Sequence, residues 1–382
     1  MSVLPKLDVL RQPLFLILME LIFYIIISLY ILLHLLLLIG LIRNKTNPHQ
    51  SSFEPNVSVV ISAKDEEESI EYCIKTLLSL DYPKEKLEIV LVNDRSVDRT
   101  KEIMTRHSSS NSHIKYVEIT EERGKLKGKA NALAQALISA AGEIIFTTDA
   151  DIKVNKKWVR EALKYYSMNT GVVSGFSVIE PKNLFWGVQS VDWLYLLAVA
   201  SGGDGIGMPI SCVGNNMSYR RKAYDELGGY EKIPFSVTED FMLLQKIHKT
   251  GKYKTFFPVN KEMMNITLPC LTLKQLIRQK KRWSKGGLGE PNPGMIAGLF
   301  SFLTGFILLL GWLFIGWQSY LLLVLAKIIM DIIFLLPAVV EFKMAKAYLY
   351  LIFFEYYFAL YCFVLPFLLA SSWKVVWKDQ RI

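Results

Sequence analysis

Ile144-Ile145-Phe146-Thr147-Thr148-Asp149-Ala150-Asp151 is a compact, β-rich run that ends in two carboxylates two positions apart. Such a run reads as a buried strand with the acids at its carboxyl end. Two carboxylates placed so can both reach one hard divalent cation. Magnesium or manganese prefers oxygen ligands and keeps room for the phosphates of a substrate. On a solvated turn the same pair would have no such meaning, so its reading depends on the surrounding chain.

Upstream, strands and helices alternate. The pattern predicts strands at 57–61, 87–92, 114–119 and 144–148, and helices at 66–80, 96–106 and 127–141. Alternation of this kind implies a mostly parallel sheet covered on both faces. Polar residues fall just after the strand ends: 64–67 after the first strand, Asp94 after the second, Asp149 after the fourth. Ligands of open α/β sheets sit outside the carboxyl ends of the strands, so these residues should converge on one crevice.

Downstream the reading changes character. Residues 184–200 are aromatic-rich and predict a helix near a membrane, and 202–207 read as a glycine-rich loop. A helix is expected at 239–249 with Thr238 as its cap. Residues 271–288 are basic and amphipathic, which suits a helix lying in the plane of a membrane surface. No internal repeat or low-complexity tract appears.

The bulk composition agrees. The chain has 382 residues, 52% of them hydrophobic, with a net charge of +9. That is too apolar for one soluble domain. The positive residues crowd beside apolar segments, which favours anionic lipid headgroups over nucleic acid as their partner. The cysteines Cys73, Cys212, Cys270 and Cys362 form no CxxC pair, so neither a disulfide framework nor a zinc site is expected. No GxxxxGK[ST] loop is present, which weighs against a P-loop enzyme.

Residues 13–42 are apolar except for Glu20 and His34, long enough to span a bilayer. A signal peptide fits poorly, because the stretch is too long and no small-residue cleavage site follows. Arg43 and Lys45 come next and favour a cytosolic exit. Three more apolar stretches, 295–317, 320–340 and 348–373, bring the expected spans to four. The loop between the first two is uncharged and should lie outside; the next, with Glu341, Lys343 and Lys346, should lie inside. The tail, with Lys374, Lys378 and Arg381, then falls on the side the positive-inside tendency disfavours, so one segment could be re-entrant. Glu20, Lys327, Asp331 and Glu355 sit at membrane depth, where charges are costly and pair or line a path. Lys327 and Asp331, four apart, can pair on one helix.

Five motifs carry the chemistry: Asn93-Asp94-Arg95-Ser96, Gly128-Lys129-Ala130-Asn131, Asp149-Ala150-Asp151, Thr238-Glu239-Asp240 and Gln279-Lys280-Lys281-Arg282-Trp283. A carboxylate at Asp94 suits an imide N–H, although Ser96 or Asp98 there would equally serve as helix caps. Lys129 opens a helix, where a cation is unfavourable unless an anion joins it. Asp240, at a helix start, suits the role of a general base towards a hydroxyl. Trp283 offers a flat face and Arg282 a phosphate fork.

Taken together, these motifs resemble family 2 glycosyltransferases with a GT-A fold, in the membrane-embedded branch with a QxxRW-type motif. That branch includes cellulose, chitin and hyaluronan synthases and lipid glycosyltransferases of the ceramide type. The resemblance covers roughly 57–283. It implies an α/β GT-A nucleotide-diphospho-sugar transferase domain with a mostly parallel sheet, accompanied by α-helical transmembrane segments. It implies inverting transfer from a nucleotide sugar, most often UDP-linked, with Mg2+ or Mn2+. By position, Lys64, Glu66 and Glu67 match the first nucleotide contacts, Asp94 the uracil contact and Lys129 a diphosphate contact. Asp149 and Asp151 match the metal motif, Asp149 also facing the donor, and Asp240 the catalytic base. Glu239, Asn215, Gln279, Arg282 and Trp283 match acceptor and diphosphate contacts. Asn93 stands where many members carry another Asp, which loosens the nucleotide preference.

The expected division is a transmembrane helix at 13–42, a cytosolic catalytic domain at 55–270, an interfacial helix at 271–290 and a transmembrane region at 295–373. The expected protein is a multi-pass enzyme of the cell's inner membrane whose partners are a nucleotide sugar, membrane lipids and a lipid or glycan acceptor, with no nucleic acid. A processive polysaccharide synthase is the alternative. A non-catalytic scaffold is disfavoured by the intact Asp149, Asp151 and Asp240.

Overall fold

The computed structural model describes residues 13–45 and 53–370, with short pieces at 376–377 and 380–381. The tail residues Lys374 and Lys378 lie outside the described residues. In chain order the elements are α1 (Pro13–Arg43), β1 (Val57–Ala63), α2 (Ile70–Leu78), β2 (Leu87–Asn93), α3 (Thr100–Ser110), β3 (Ile114–Glu118) and α4 (Gly128–Ser139). Next come β4 (Ile144–Asp149), α5 (Trp158–Leu163), β5 (Thr170–Ser174), β6 (Ser177–Ile179), α6 (Leu184–Gly205), β7 (Met217–Arg220), α7 (Arg221–Glu226) and α8 (Gly229–Lys232). The chain continues with α9 (Glu239–Lys249), β8 (Lys254–Phe256), β9 (Asn265–Thr267), α10 (Leu273–Gly287), α11 (Gly294–Leu310), α12 (Trp317–Glu341) and α13 (Leu351–Ala370).

Seven strands form one sheet in the order β3-β2-β1-β4-β7-β5-β8, and β6 pairs with β9 separately. The four strands from β3 to β4 run parallel, while β7 is antiparallel to both β4 and β5. Successive strand residues face opposite sides. Thus Val59 and Ile61 join Trp158 in one core layer, while Val60 joins Ala132, Leu133 and Leu243 in the other. A strand buried on both faces needs a continuous apolar run, which is what the sequence showed. Register does the rest. Ala63 pairs with Asn93 and Ser62 with Asp149, so the residues that follow β1 and β2 and those that end β4 emerge on one edge.

Helices α2 and α3 begin later than expected because the two loops before them interlock. Glu66 N donates to Thr100 Oγ1 at 2.7 Å, Glu67 N to Asp98 Oδ2 at 3.0 Å, and Val97 N to Asp65 Oδ1 at 2.8 Å. Asp65 and Arg95 both adopt left-handed backbone, at φ 52° and 56°. Non-glycine residues at positive φ are uncommon and cluster near functional sites.

The expected glycine-rich loop at 202–207 is instead the last turns of α6, which runs through Gly205. These glycines serve a close helix crossing. A Cβ on Gly40 would sit 1.9 Å from the Gly202 carbonyl oxygen, and one on Gly205 would sit 2.0 Å from that of Gly40. Small residues let membrane helices approach backbone to backbone. Among the described residues five helices are long and apolar enough to cross a membrane, not four: Leu14–Arg43, Leu184–Gly205, Gly294–Leu313, Trp317–Glu341 and Ala345–Phe367. The additional one is α6.

The charges at membrane depth pair as the spacing allowed, and more extensively. Lys327 Nζ lies 2.7 Å from Asp331 Oδ2 and also pairs with Glu355, while Tyr30 OH donates to Asp331 Oδ1 at 2.5 Å. His34 Nε2 is 2.7 Å from Tyr195 OH. Four helices, α1, α6, α12 and α13, therefore share one polar knot. Glu20 accepts a hydrogen bond from Ser319.

Candidate active site

One cavity of about 900 Å³ opens at the carboxyl ends of β1 and β4 and continues between the membrane helices. Its volume lies within the range of ligand sites. Lys64 and Glu66 line it from the loop after β1, Lys129 from α4, Asp149 and Asp151 from the end of β4, and Asn215 from the approach to β7. Glu239 and Asp240 enter from α9, and Gln279, Arg282 and Trp283 from α10. Eleven of the thirteen residues that the motifs singled out thus meet in one place.

The remaining two are placed differently. Glu67 accepts from the Arg99 backbone N at 3.1 Å and Nε at 3.2 Å, so it braces the interlocked loops rather than facing the cavity. Asp94 is fully buried at the end of β2, its Oδ1 accepting from Arg95 Nε at 2.9 Å. Its Oδ2 has no hydrogen-bond partner. Native structures carry few such atoms, and a functional site is one of their recurring explanations.

Lys129 ties two motifs together. Its Nζ is 2.5 Å from Asp149 Oδ1 and 3.5 Å from Glu239 Oε1. Burial works against the ammonium, but Asp149, Glu239 and Asp240 outweigh it and hold the lysine above its ordinary pKa. Burial pushes the Glu239 carboxyl up, Asp240 adds to this, and Lys129 opposes it.

The start of α9 is built differently from the expected cap. The Thr238 side chain makes no cap bond to the helix, and its hydroxyl lies 3.2 Å from Ser236 Oγ. Gly286 of α10 packs against Thr238 so closely that a Cβ there would lie 2.1 Å from Thr238 Oγ1. That contact brings the Thr238-Glu239-Asp240 and QxxRW segments together. Arg282 Nη1 adds a bond to the Val237 carbonyl at 3.3 Å. Asp240 is oriented by backbone: Oδ2 accepts from Gly214 N at 2.5 Å and Oδ1 from Phe241 N at 2.8 Å. A carboxylate has about four lone-pair sites, so capacity remains for a hydroxyl.

Helix α10 is not solely a surface helix. Its Thr272 forms a capping box with Gln275, and Lys274, Arg278 and Lys285 are exposed. Its other face is buried and holds Leu276 and Lys280. Lys280 pairs with Asp192 of α6, and Trp283 stacks on Trp193 with centroids 4.8 Å apart. The motif reading did not single out Asp192, Trp193 or Lys280 as site residues. The available signal was a lone acid within the aromatic run at 184–200.

Among the described residues no three His, Cys, Asp or Glu side chains assemble into a metal cage. Two cavity carboxylates at one strand end are instead the donor set of a cation that completes its shell with substrate phosphates and water. Asp149 and Asp151 fit magnesium or manganese in that mode.

The chain is similar to known glycosyltransferases. The family model for glycosyl transferase family 21 matches residues 16–382. A probable glycosyltransferase, YdaM, of Bacillus subtilis (strain 168) is 33% identical over 242 residues, 61% of this chain and 55% of that protein. A beta-monoglucosyldiacylglycerol synthase of Synechocystis is 30% identical over 241 residues, covering 61% of this chain and 48% of the synthase. A poly-beta-1,6-N-acetyl-D-glucosamine synthase of Staphylococcus aureus is 27% identical over 236 residues, 60% and 54% of the two chains. The matches thus span about half the length of these relatives. Among solved structures, the mannosyltransferase PcManGT of Pyrobaculum calidifontis, in complex with GDP-Man and Mn2+, aligns with a TM-score of 0.58 at 20% identity. The alignment covers 91% of this chain and 99% of that one, a likeness of fold.

Proposed function

The chain belongs to glycosyl transferase family 21, and from that premise we propose inverting transfer of a sugar from a nucleotide sugar to the hydroxyl of a membrane-held acceptor. The observation that carries this reading is the single cavity. It is lined by cations and carboxylates at the strand ends and by apolar residues of α11 and α13 further on. A charged donor suits the first part and a lipid acceptor the second. The relatives' names, a glucosyldiacylglycerol synthase and a polysaccharide synthase, cover both acceptor classes. The apolar extension favours the lipid.

In this reading Asp94 Oδ2, unpartnered but buried outside the cavity lining, accepts from the N–H of the base once the Arg95 side chain moves off it. Uracil and guanine each present such a ring N–H, so this contact supports a UDP- or GDP-linked donor. Lys64, Lys129 and Arg282 balance the diphosphate charge. Asp149 and Asp151 would hold a magnesium or manganese ion, which supplies a Lewis acid against the charge that develops on the departing diphosphate. Asp240, held by Gly214 N and Phe241 N, takes the proton of the acceptor hydroxyl as its oxygen bonds to the anomeric carbon. One carboxylate suffices, since no covalent sugar–enzyme intermediate forms; retaining glycosidases use two in sequence. The catalytic domain stands on the cytosolic face of the membrane, the side favoured by Arg43 and Lys45.

The test is nucleoside diphosphate release by purified protein over a panel of UDP- and GDP-sugars, with manganese or magnesium and a lipid extract. Metal-dependent release from one donor, absent in Asp151→Asn, is expected. Silence across the panel, with lipid present, would overturn the reading.

A further inference from the structure

Two buried polar atoms that lack a hydrogen-bond partner, Asp192 Oδ1 and Trp193 Nε1, belong to one spot on the cavity wall beside Lys280. Asp192 Oδ2 forms the ion pair with Lys280 and lies 3.5 Å from Tyr357 OH. The Lys280 ammonium also faces the Trp283 ring at 5.2 Å and the Tyr361 ring at 5.0 Å. Asp192 is 3% exposed and Lys280 2% exposed. Buried polar groups are normally satisfied, and a donor and an acceptor left unmade beside an ammonium with N–H groups to spare call for an occupant. Beyond them the cavity wall turns apolar, with Phe302 of α11 and Phe358 and Leu365 of α13.

We propose that Asp192, Trp193 and Lys280 form the head-group subsite of the acceptor lipid, and that it selects an uncharged head carrying hydroxyl and carbonyl oxygens. This rests on the lipid-acceptor reading above. The atoms dictate the class of ligand. A hydroxyl hydrogen satisfies Asp192 Oδ1, and carbonyl or ether oxygens satisfy Trp193 Nε1 and Lys280 Nζ. The Lys280 charge is already balanced by Asp192, so a phosphate head would arrive without a free counter-charge and would face a carboxylate. Desolvating that phosphate without a partner charge is unfavourable. The apolar wall then receives the acyl chain. These residues govern specificity, while the proton transfer stays with Asp240.

The experiment uses the full chain in nanodiscs with no donor present. It compares photoreactive diacylglycerol with photoreactive phosphatidic acid of the same chains and maps cross-links to peptides of α6, α10 and α13. Wild type should label with diacylglycerol at least tenfold better. Asp192→Asn strands the Lys280 charge and should raise phosphatidic acid labelling at least fivefold. The double variant Asp192→Asn/Lys280→Met, neutral again, should lose that gain. Trp193→Phe keeps an aromatic ring for stacking on Trp283 but removes one donor, and should lower diacylglycerol labelling several-fold. Equal labelling by the two lipids in wild type would overturn the proposal. So would an unchanged ratio in Asp192→Asn or, should that variant not fold, unchanged diacylglycerol labelling in Trp193→Phe. Loss of donor binding with intact labelling would break the transferase reading alone. Transfer to a soluble sugar without lipid labelling would break the subsite and the lipid acceptor but not the transferase.

Discussion

Two clusters in this protein have the same composition, one lysine between two carboxylates, and different surroundings. Lys129 lies between Asp149 and Glu239 on the cavity wall, and the Asp149 side chain is 38% exposed. Lys327 lies between Asp331 and Glu355, both carboxylates fully shielded, and none of the three lines the cavity. The first cluster can exchange partners with an arriving ion or phosphate. The second has no such access and ties α12 to α13, with Tyr30 joining α1. The same charges serve chemistry in one place and assembly in the other, and access to the cavity makes the difference. The flanking sequence already hints at this, since Lys327, Asp331 and Glu355 lie within long apolar runs while Lys129 and Asp149 stand at a helix start and a strand end.

The comparison breaks most visibly at the neighbouring base. Asp240→Asn should lower kcat about 10³- to 10⁴-fold, about 4–5 kcal/mol in the barrier, while donor binding by calorimetry persists. Near-normal turnover would remove Asp240 from the base role.

The same substitution in both clusters sharpens it further. Lys327→Met leaves two buried carboxylates without their cation and should cost about 3–4 kcal/mol of stability, read as a lowered Tm in detergent. Lys129→Met should instead lower kcat/KM about ten- to a hundredfold, about 1.4–2.8 kcal/mol, with Tm within a few degrees. Exchanged readouts, activity for Lys327 and stability for Lys129, would refute the distinction.

A third cluster, nearer the surface, sets the scale. Glu290 accepts from Lys246 and Lys249, each at 2.6 Å, and those two bonds hold its carboxyl down to about 2. The contribution is present above the unfolded carboxyl's ordinary value and is lost as pH falls towards about 2. For such a half-buried surface cluster, Glu290→Gln should change stability by about 1 kcal/mol, and the change should shrink in acid or high salt. A larger loss would mean that Glu290 anchors α9.

Much of the fold is legible in the chain. The β-branched runs at 57–61, 87–92 and 144–148 specify buried parallel strands, because a strand covered on both faces needs apolar residues at successive positions. The motif residues follow those runs, so their convergence on one sheet edge was readable as well. The glycines of α6 were misread because glycine signals a loop locally, and only a neighbouring helix at backbone distance shows why the helix keeps them.

The sequence by itself determined the kinds of element, the order of the motifs and the residues available for chemistry. These depend on side-chain periodicity and on what each residue can bind. The tertiary structure alone decided that Glu67 turns to Arg99, that Lys129 bridges Asp149 and Glu239, and that Asp192 meets Lys280. Each of these is a contact between distant segments. Its geometry is set by how sheet, helices and membrane bundle pack, and no local pattern encodes that.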